Sequence, residues 1–169
     1  MSAASQILKN FALYIDGRGY AGNVDEVQLP DLKIKLEEYR AGGMDSSIGL
    51  DMGMEKMEAS FKLSKYDADV LALWGMGPSR TVQLTLRGAL ESLDGSVSNL
   101  VVNLEGTIDS MTPDALTPGA KAGLQATMSV RHYKNSINGV VVHDIDVMNM
   151  VRIIGGVDRL AKIRTALGL

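Results

Sequence analysis

LPDLKIKLEEYRAGGMDSSIGLDMGMEKM, residues 29–57, enters as a strand, gives way to glycine and methionine, and returns toward a second strand. Leu32, Ile34 and Leu36 alternate with Lys33, Lys35 and Glu37, the period-2 pattern of a half-buried strand. Met57, Ala59, Phe61 and Leu63 alternate with Glu58, Ser60 and Lys62 on the far side. Between them lie Gly42, Gly43, Gly49 and Gly53, with Met44, Met52 and Met54. A structureless loop of this length is uncommon in a compact domain and is usually functional or disordered. Disordered segments are poor in apolar residues, whereas exposed methionine suits an adaptable contact surface. The expectation is an extended loop over residues 40–56 that touches another protein. Its candidate contact residues are Glu37, Glu38, Tyr39, Arg40, Gly42, Gly43, Met44, Asp45, Asp51, Met52, Met54 and Glu55.

Outward from this stretch the chain is strand-rich. Residues 1–10 read as a short N-terminal arm. Phe11, Leu13 and Ile15 then alternate up to an Asp16-Gly17-Arg18-Gly19 turn, and residues 20–27 resume as a strand. Residues 67–74, DADVLALW, break the series: Asp67 is a candidate N-cap, with Val70, Leu71 and Trp74 at helical spacing. Trp74 is read as a core anchor. Val82, Leu84 and Leu86 alternate, as do Leu124, Ala126, Met128 and Val130, while Leu100, Val102, Leu104 and Ile108 share one parity.

Asn138-Gly139, between two strand-like arms, is the strongest short-range hairpin signal. Counted back without a bulge, Tyr133 faces Asp144 and Arg131 faces Asp146, a structural cross-strand pair. His132 and His143 then fall diagonally on the other face. A bulge would shift the pairing by one. At the end, Asp158 is a plausible N-cap for a helix over residues 157–167. Its apolar stripe is Leu160, Ile163 and Leu167, and Arg159, Lys162 and Arg164 face away. Such a helix packs on its own domain or docks on a neighbour. The outline is one domain over residues 1–169, mainly β as a β-sandwich or partial barrel, with a short flanking helix and a short C-terminal helix.

Composition narrows the function. The net charge is −3, without the basic footprint that grips phosphate backbones. Aromatic content of 5% argues against a stacking platform for single strands. There is no cysteine, hence no thiolate chemistry or cysteine-ligated zinc. No apolar run reaches a membrane span, and the first residues do not read as a signal peptide. In the unbulged register Asp144 and Asp146 point away from both histidines, so no metal site is expected. No nucleophile elbow, Walker loop or dinucleotide fingerprint occurs. No catalytic residue and no cofactor is expected, and the signal lies in surfaces: probable strand edges and the long loop.

Three stretches carry a resemblance. LPDLKIKLEEYRAGGMD followed by LDMGMEKMEA, then HYKNSINGVVVHDIDVMNM, then GGVDRLAKIRTALGL resemble the major tail tube protein of contractile-tailed bacteriophages and R-type pyocins. The family often has Lys where Asp31 stands and Asn where Gly155 stands, and residues 64–119 match poorly. The resemblance implies hexameric rings whose inner strands join into one β-barrel, stacked as an inner tube within a contractile sheath. It implies contacts with sheath, tape measure, baseplate and tail-terminator proteins, assembly in the host cytoplasm, and passage of DNA without specific binding. Six copies at −3 each carry −18 per ring, compatible with an acidic lumen. It also implies that the long loop contacts neighbouring subunits and rings. The alternatives are the tube of a DNA-free pyocin-like bacteriocin, a type VI secretion-like ring protein, or a monomeric binding module.

Overall fold

The structure, a computed structural model, describes residues 6–169. In chain order the strands are β1 (Ile7–Ile15), β2 (Arg18–Gly19), β3 (Val24–Gln28), β4 (Ile34–Tyr39), β5 (Ile48–Met54) and β6 (Met57–Leu63). Helix α1 (Ala68–Leu71) precedes β7 (Val82–Glu91), β8 (Val97–Pro113), β9 (Leu124–Ile137), β10 (Val140–Asp146), β11 (Val151–Ile154), β12 (Val157–Asp158) and α2 (Ala161–Leu167). The protein is mainly β with two short helices. The expected arm over residues 1–10 is corrected at its C-terminal end, because residues 7–10 already belong to β1, paired with β7. Residues 1–5 lie outside the described residues.

Ten strands form one sheet and β4–β5 a separate two-stranded one. The long strand β9 is the hinge of the arrangement. One edge pairs with β8 throughout; the other pairs with β6 over its first half and β10 over its second. The first half thus belongs to a partial barrel, β3-β6-β9-β8-β7-β1. Backbone bonds prolong the ladders at its two ends: Tyr20 N–H donates to Leu13 O at 2.8 Å beyond the β1–β2 pairs, and Ser64 N–H to Asn23 O at 2.9 Å beyond the β3–β6 pairs. The second half continues as an open sheet through β10, β11 and β12.

The alternating residues fill the barrel. Met57, Ala59, Phe61 and Leu63 oppose Val130, Met128, Ala126 and Leu124 in register, and all eight are buried. Val82, Leu84 and Leu86 from β7 and Val102, Leu104 and Ile108 from β8 are buried with them. Each fully buried aliphatic or aromatic side chain contributes roughly 1.5–3 kcal/mol. Two bulges keep this face apolar along strands too long to stay in phase. Arg131 is the extra residue of β9, between the pairs Glu105/His132 and Gly106/Val130, so Val130 and Tyr133 are both buried. Asp109 is the extra residue of β8, between Ile108/Met128 and Ser110/Thr127.

Helix α1 and the turn after it pack on the barrel core through Val70 and Leu73 respectively. Asp67 is its N-cap, accepting from the N–H groups of Asp69 at 3.0 Å and Val70 at 3.4 Å. Trp74 is not the core anchor expected: it is 58% exposed, and its indole N–H donates to Asp109 O at 3.0 Å. The helix ends before it, with Ala72 as C-cap.

The Asn138-Gly139 turn forms with φ of 51° and 78° and Val140 faces Ile137, as the dipeptide predicts. The pairing beyond it is corrected. Val142 bulges, so Tyr133 faces Ile145 and Asp146 faces His132. Arg131 and Asp146 are therefore not a cross-strand pair. Arg131 instead donates to Pro78 O at 2.9 Å, and Asp146 accepts from the N–H groups of Met148 and Asn149, both at 3.0 Å. The same slip puts Asp144 and Asp146 on the His132 face, and His132 Nε2 lies 2.8 Å from Asp144 Oδ1.

Candidate assembly surface

The segment expected as a long loop is mostly hairpin. β4 and β5 pair antiparallel from Ile34/Met54 to Tyr39/Ile48, and only residues 40–47 form the connecting loop. Gly49 and Gly53, standing where polar partners would mark a strand's alternation, hid β5. β5 also carries a bulge between the pairs Ile34/Met54 and Leu36/Asp51, with Gly53 at φ 102°. The bulge sorts side chains onto two faces. Ile34, Leu36, Glu38, Asp51 and Met54 share one; Glu37, Tyr39, Ile48, Leu50 and Met52 share the other.

The strand is not half-buried as its alternation suggested. Every β4 residue is exposed, with Leu36 62% exposed. Tyr39, Ile48, Leu50 and Met52 form an uncovered apolar face on the opposite side. The hairpin is held at its root. Glu55 N–H donates to Lys33 O at 2.9 Å, and Met54 packs against the core. Arg152 of β11 donates to Asp51 Oδ2 at 2.8 Å, and Asp51 Oδ1 also accepts from Gly53 N–H at 2.8 Å. The Arg152 hydrogen bond, aided by Gly53 N–H, holds the Asp51 carboxyl below its ordinary value.

The three methionines thus have separate places. Met52 is 54% exposed on the apolar face. Met54 is turned inward. Met44 folds back on the loop tip, its sulfur accepting from Ala41 N–H at 3.4 Å and its carbonyl from Arg40 Nε at 3.2 Å. Gly42, Gly43, Asp45 and Glu55 are exposed. Of the expected contact residues, the structure gathers Glu37, Tyr39 and Met52 on one face and adds Ile48 and Leu50. Their alternation was legible; the intervening glycines hid its meaning.

Helix α2 starts later than expected, at Ala161 after Leu160, because Val157–Asp158 pairs with β11 as a strand. Asp158 lies before it and accepts from Leu160 N–H at 3.0 Å and Arg152 N–H at 3.3 Å. Arg164 does not face away: it donates to Met150 O at 2.6 Å and Asp158 Oδ2 at 2.5 Å. That Arg164 bond, with Leu160 N–H, holds the Asp158 carboxyl low. Leu160 is half-buried beside a hollow of about 370 Å³ lined by Met54, Met57, Val130, Ile145 and Val151. Ile163 and Leu167 remain exposed, and no residue of α2 is fully buried. Gly168 ends the helix at φ 73°.

Among the described residues no group of three or more His, Asp or Glu is placed to hold a metal ion, and no helix is long and apolar enough to cross a membrane.

The fold is shared with chains of contractile injection systems. One, from the sheath-tube complex of the extracellular contractile injection system PVC in its extended state, matches with a TM-score of 0.60, 11% identity, and coverage of 78% of this chain and 91% of that chain. A second, from the anti-feeding prophage cap, a tube terminating cap, matches with a TM-score of 0.57, 12% identity, and coverage of 75% and 87%. At these identities the likeness is one of fold.

Sequence defines the class more closely: residues 5–168 match the family Phage tail tube protein FII, and the chain belongs to that family. The tail tube protein of Escherichia phage P2 is 26% identical over 166 residues, 96% of each chain. The major tail tube protein of Serratia phage KSP20 is 27% identical over 147 residues, covering 85% of this chain and 84% of the relative. The role of the chain is structural, that of a tail tube protein.

Proposed function

We propose that copies of this chain assemble into hexameric rings that stack as the inner tube of a contractile phage tail. The observation that carries this reading is the β4–β5 hairpin. A two-stranded hairpin alone is marginal in water, and this one exposes Leu36 on one face and Tyr39, Ile48, Leu50 and Met52 on the other. Contiguous exposed apolar surface marks an interaction site. In a family of tube proteins its natural cover is a second copy. Glu38, Arg40, Gly42, Gly43, Met44, Asp45 and Glu55 lie at its edges and tip and would line the same contact. Ile163 and Leu167 on α2 offer a second apolar strip to the assembly.

The working role is mechanical. A sheath, as in the PVC complex, would surround the tube, and terminator and baseplate proteins would close its ends. A tape measure protein would set its length. Contraction of the sheath would drive the tube through the envelope, and DNA would pass along it. A ring carrying −18 has no net attraction for phosphate and would let the polymer slide. The component belongs to the virion tail and would be assembled in the host cytoplasm.

Negative-stain microscopy of the purified chain tests the reading. Rings or tubes with six-fold end views are expected. Monodisperse monomers at every concentration, including in the presence of preformed tube ends as nuclei, would refute it.

A further inference from the structure

Few contacts join the β4–β5 hairpin to the rest of the domain. Neither strand pairs with the main sheet. The ladder, the Glu55–Lys33 bond that prolongs it and the Arg40–Met44 bond near its tip all lie within the hairpin and its root. Met54 packs on the core, but beside it opens the hollow of about 370 Å³, so no close-packed apolar face fixes the hairpin there. Among the described residues a single polar contact runs from residues 34–54 to the rest of the domain, the bond from Arg152 to Asp51 Oδ2.

Stability does not account for that bond. The Arg152 side chain is 12% exposed and lines the hollow with Met54, Met57, Ile145 and Leu160. Its Nε is shut off from water without an acceptor among the described residues. A guanidinium taken out of water, with one carboxylate and one orphan donor, recovers little or none of its desolvation cost. A methionine of similar length in these surroundings would avoid that cost. The Asp51 side chain, 41% exposed, would stay hydrated without its partner. What the pair supplies is direction. The guanidinium is a rigid planar fork, and its strand is braced from behind. Arg152 faces Ile145 of β10, its N–H donates to Asp158 Oδ1 at 3.3 Å, and its carbonyl accepts from Arg159 N–H at 2.9 Å. Asp158 is itself held by Arg164 of α2.

We propose that Arg152 is the positioning residue of the hairpin: through Asp51 it fixes the direction in which β4–β5 leaves the domain, and so presets the hairpin for assembly. The last clause rests on the self-assembly reading above; the first does not. A contact element already set in its bound direction associates more tightly, because less ordering remains to be done on binding.

The absence of native cysteine makes the direction measurable. Nitroxide labels at Ser47→Cys, beside the hairpin tip, and at Gln125→Cys on β9, both exposed positions, report it in free subunits as a distance distribution by pulsed electron paramagnetic resonance. One narrow distribution is expected on the wild-type background. Arg152→Met widens it at least twofold, and Asp51→Asn does the same. The two together widen it no further, because both remove one bond. The urea midpoint of Arg152→Met stays at or above that of the wild type; a fall would make Arg152 a structural brace and overturn the proposal. Light scattering of assembling tubes gives a critical concentration several-fold higher for Arg152→Met. Wild-type width in both single variants overturns the proposal. Equal widening in Asp67→Ala, which loses only the cap of α1, would mark general loosening and also overturn it. Widening with an unchanged critical concentration overturns the presetting. A wild-type chain that forms no tubes overturns the self-assembly reading and leaves the distance measurement to decide the positioning role.

Discussion

Gly106 sits where β9 changes partners from β6 to β10, opposite Val130 and beside the Arg131 bulge. A Cβ at this position would lie 1.9 Å from Ser129 O and 2.8 Å from Ser129 C, both backbone atoms. Ser129 itself pairs with Glu58 of β6 and Thr107 of β8, so its carbonyl cannot swing aside without loosening the barrel seam. Relief of the contact needs a backbone shift of about 1 Å or more in a close-packed region. Gly106→Ala is therefore expected to cost at least about 3 kcal/mol, the upper end of overpacking effects. In a chain of this size that lowers the melting temperature by roughly 6–12 °C. Gly88→Ala is the control: its nearest neighbour would be Leu8 Cδ1 at 2.9 Å, the far end of an exposed, rotatable side chain. Its cost is expected to stay below about 1 kcal/mol. Urea unfolding of both variants as free subunits measures the difference. Equal stability of the two variants would refute the placement of the seam at Gly106.

Other perturbations have equally definite outcomes. Asp67→Ala removes the α1 N-cap and should cost about 1 kcal/mol in urea unfolding; no change would mean that the cap does not hold the helix on the barrel. The Asp51 carboxyl lies below its ordinary value of 3.8, so its stabilising bonds to Arg152 and Gly53 are present above that pH and are lost as pH falls through the lower folded value. Hydrogen exchange of the β5 amides, corrected for intrinsic rate, should accelerate in that window in wild type, whereas Asp51→Asn should show no such step. Met54→Ser should destabilise the free subunit, whereas Met44→Ser and Met52→Ser should leave unfolding within about 0.5 kcal/mol of wild type; similar losses for all three would contradict the sorting of hairpin faces. Truncation before Asp158 removes the acceptor of Arg152 N–H along with α2, and should lower the urea midpoint of the free subunit; an unchanged midpoint would show that the C-terminal segment contributes no stability.

The barrel was legible because its strands alternate without interruption. Residues 57–63 and 124–130 read as apolar on one side, and both runs face the core. The hairpin at Asn138-Gly139 was legible because its turn chemistry is local. Its register was not. The Val142 bulge leaves no mark in a run of three valines, and a single extra residue moved Asp146 from Arg131 to His132. Trp74 failed for a different reason: the helical spacing that placed it inside outlasts the helix, which stops at Leu71. The assembly surface was half legible. Apolar residues in a glycine-rich stretch pointed to contact, but the spacing of Gly49 and Gly53 masked β5, and the bulge that separates Met52 from Met54 arises only on pairing.

A reconstruction of wild-type tubes by electron cryo-microscopy, at a resolution that shows side chains, tests the central claim most directly. Six copies per ring are expected, with Tyr39, Ile48, Leu50 and Met52 of each hairpin buried against another copy. Rings held together with these hairpins standing free in solvent would contradict it.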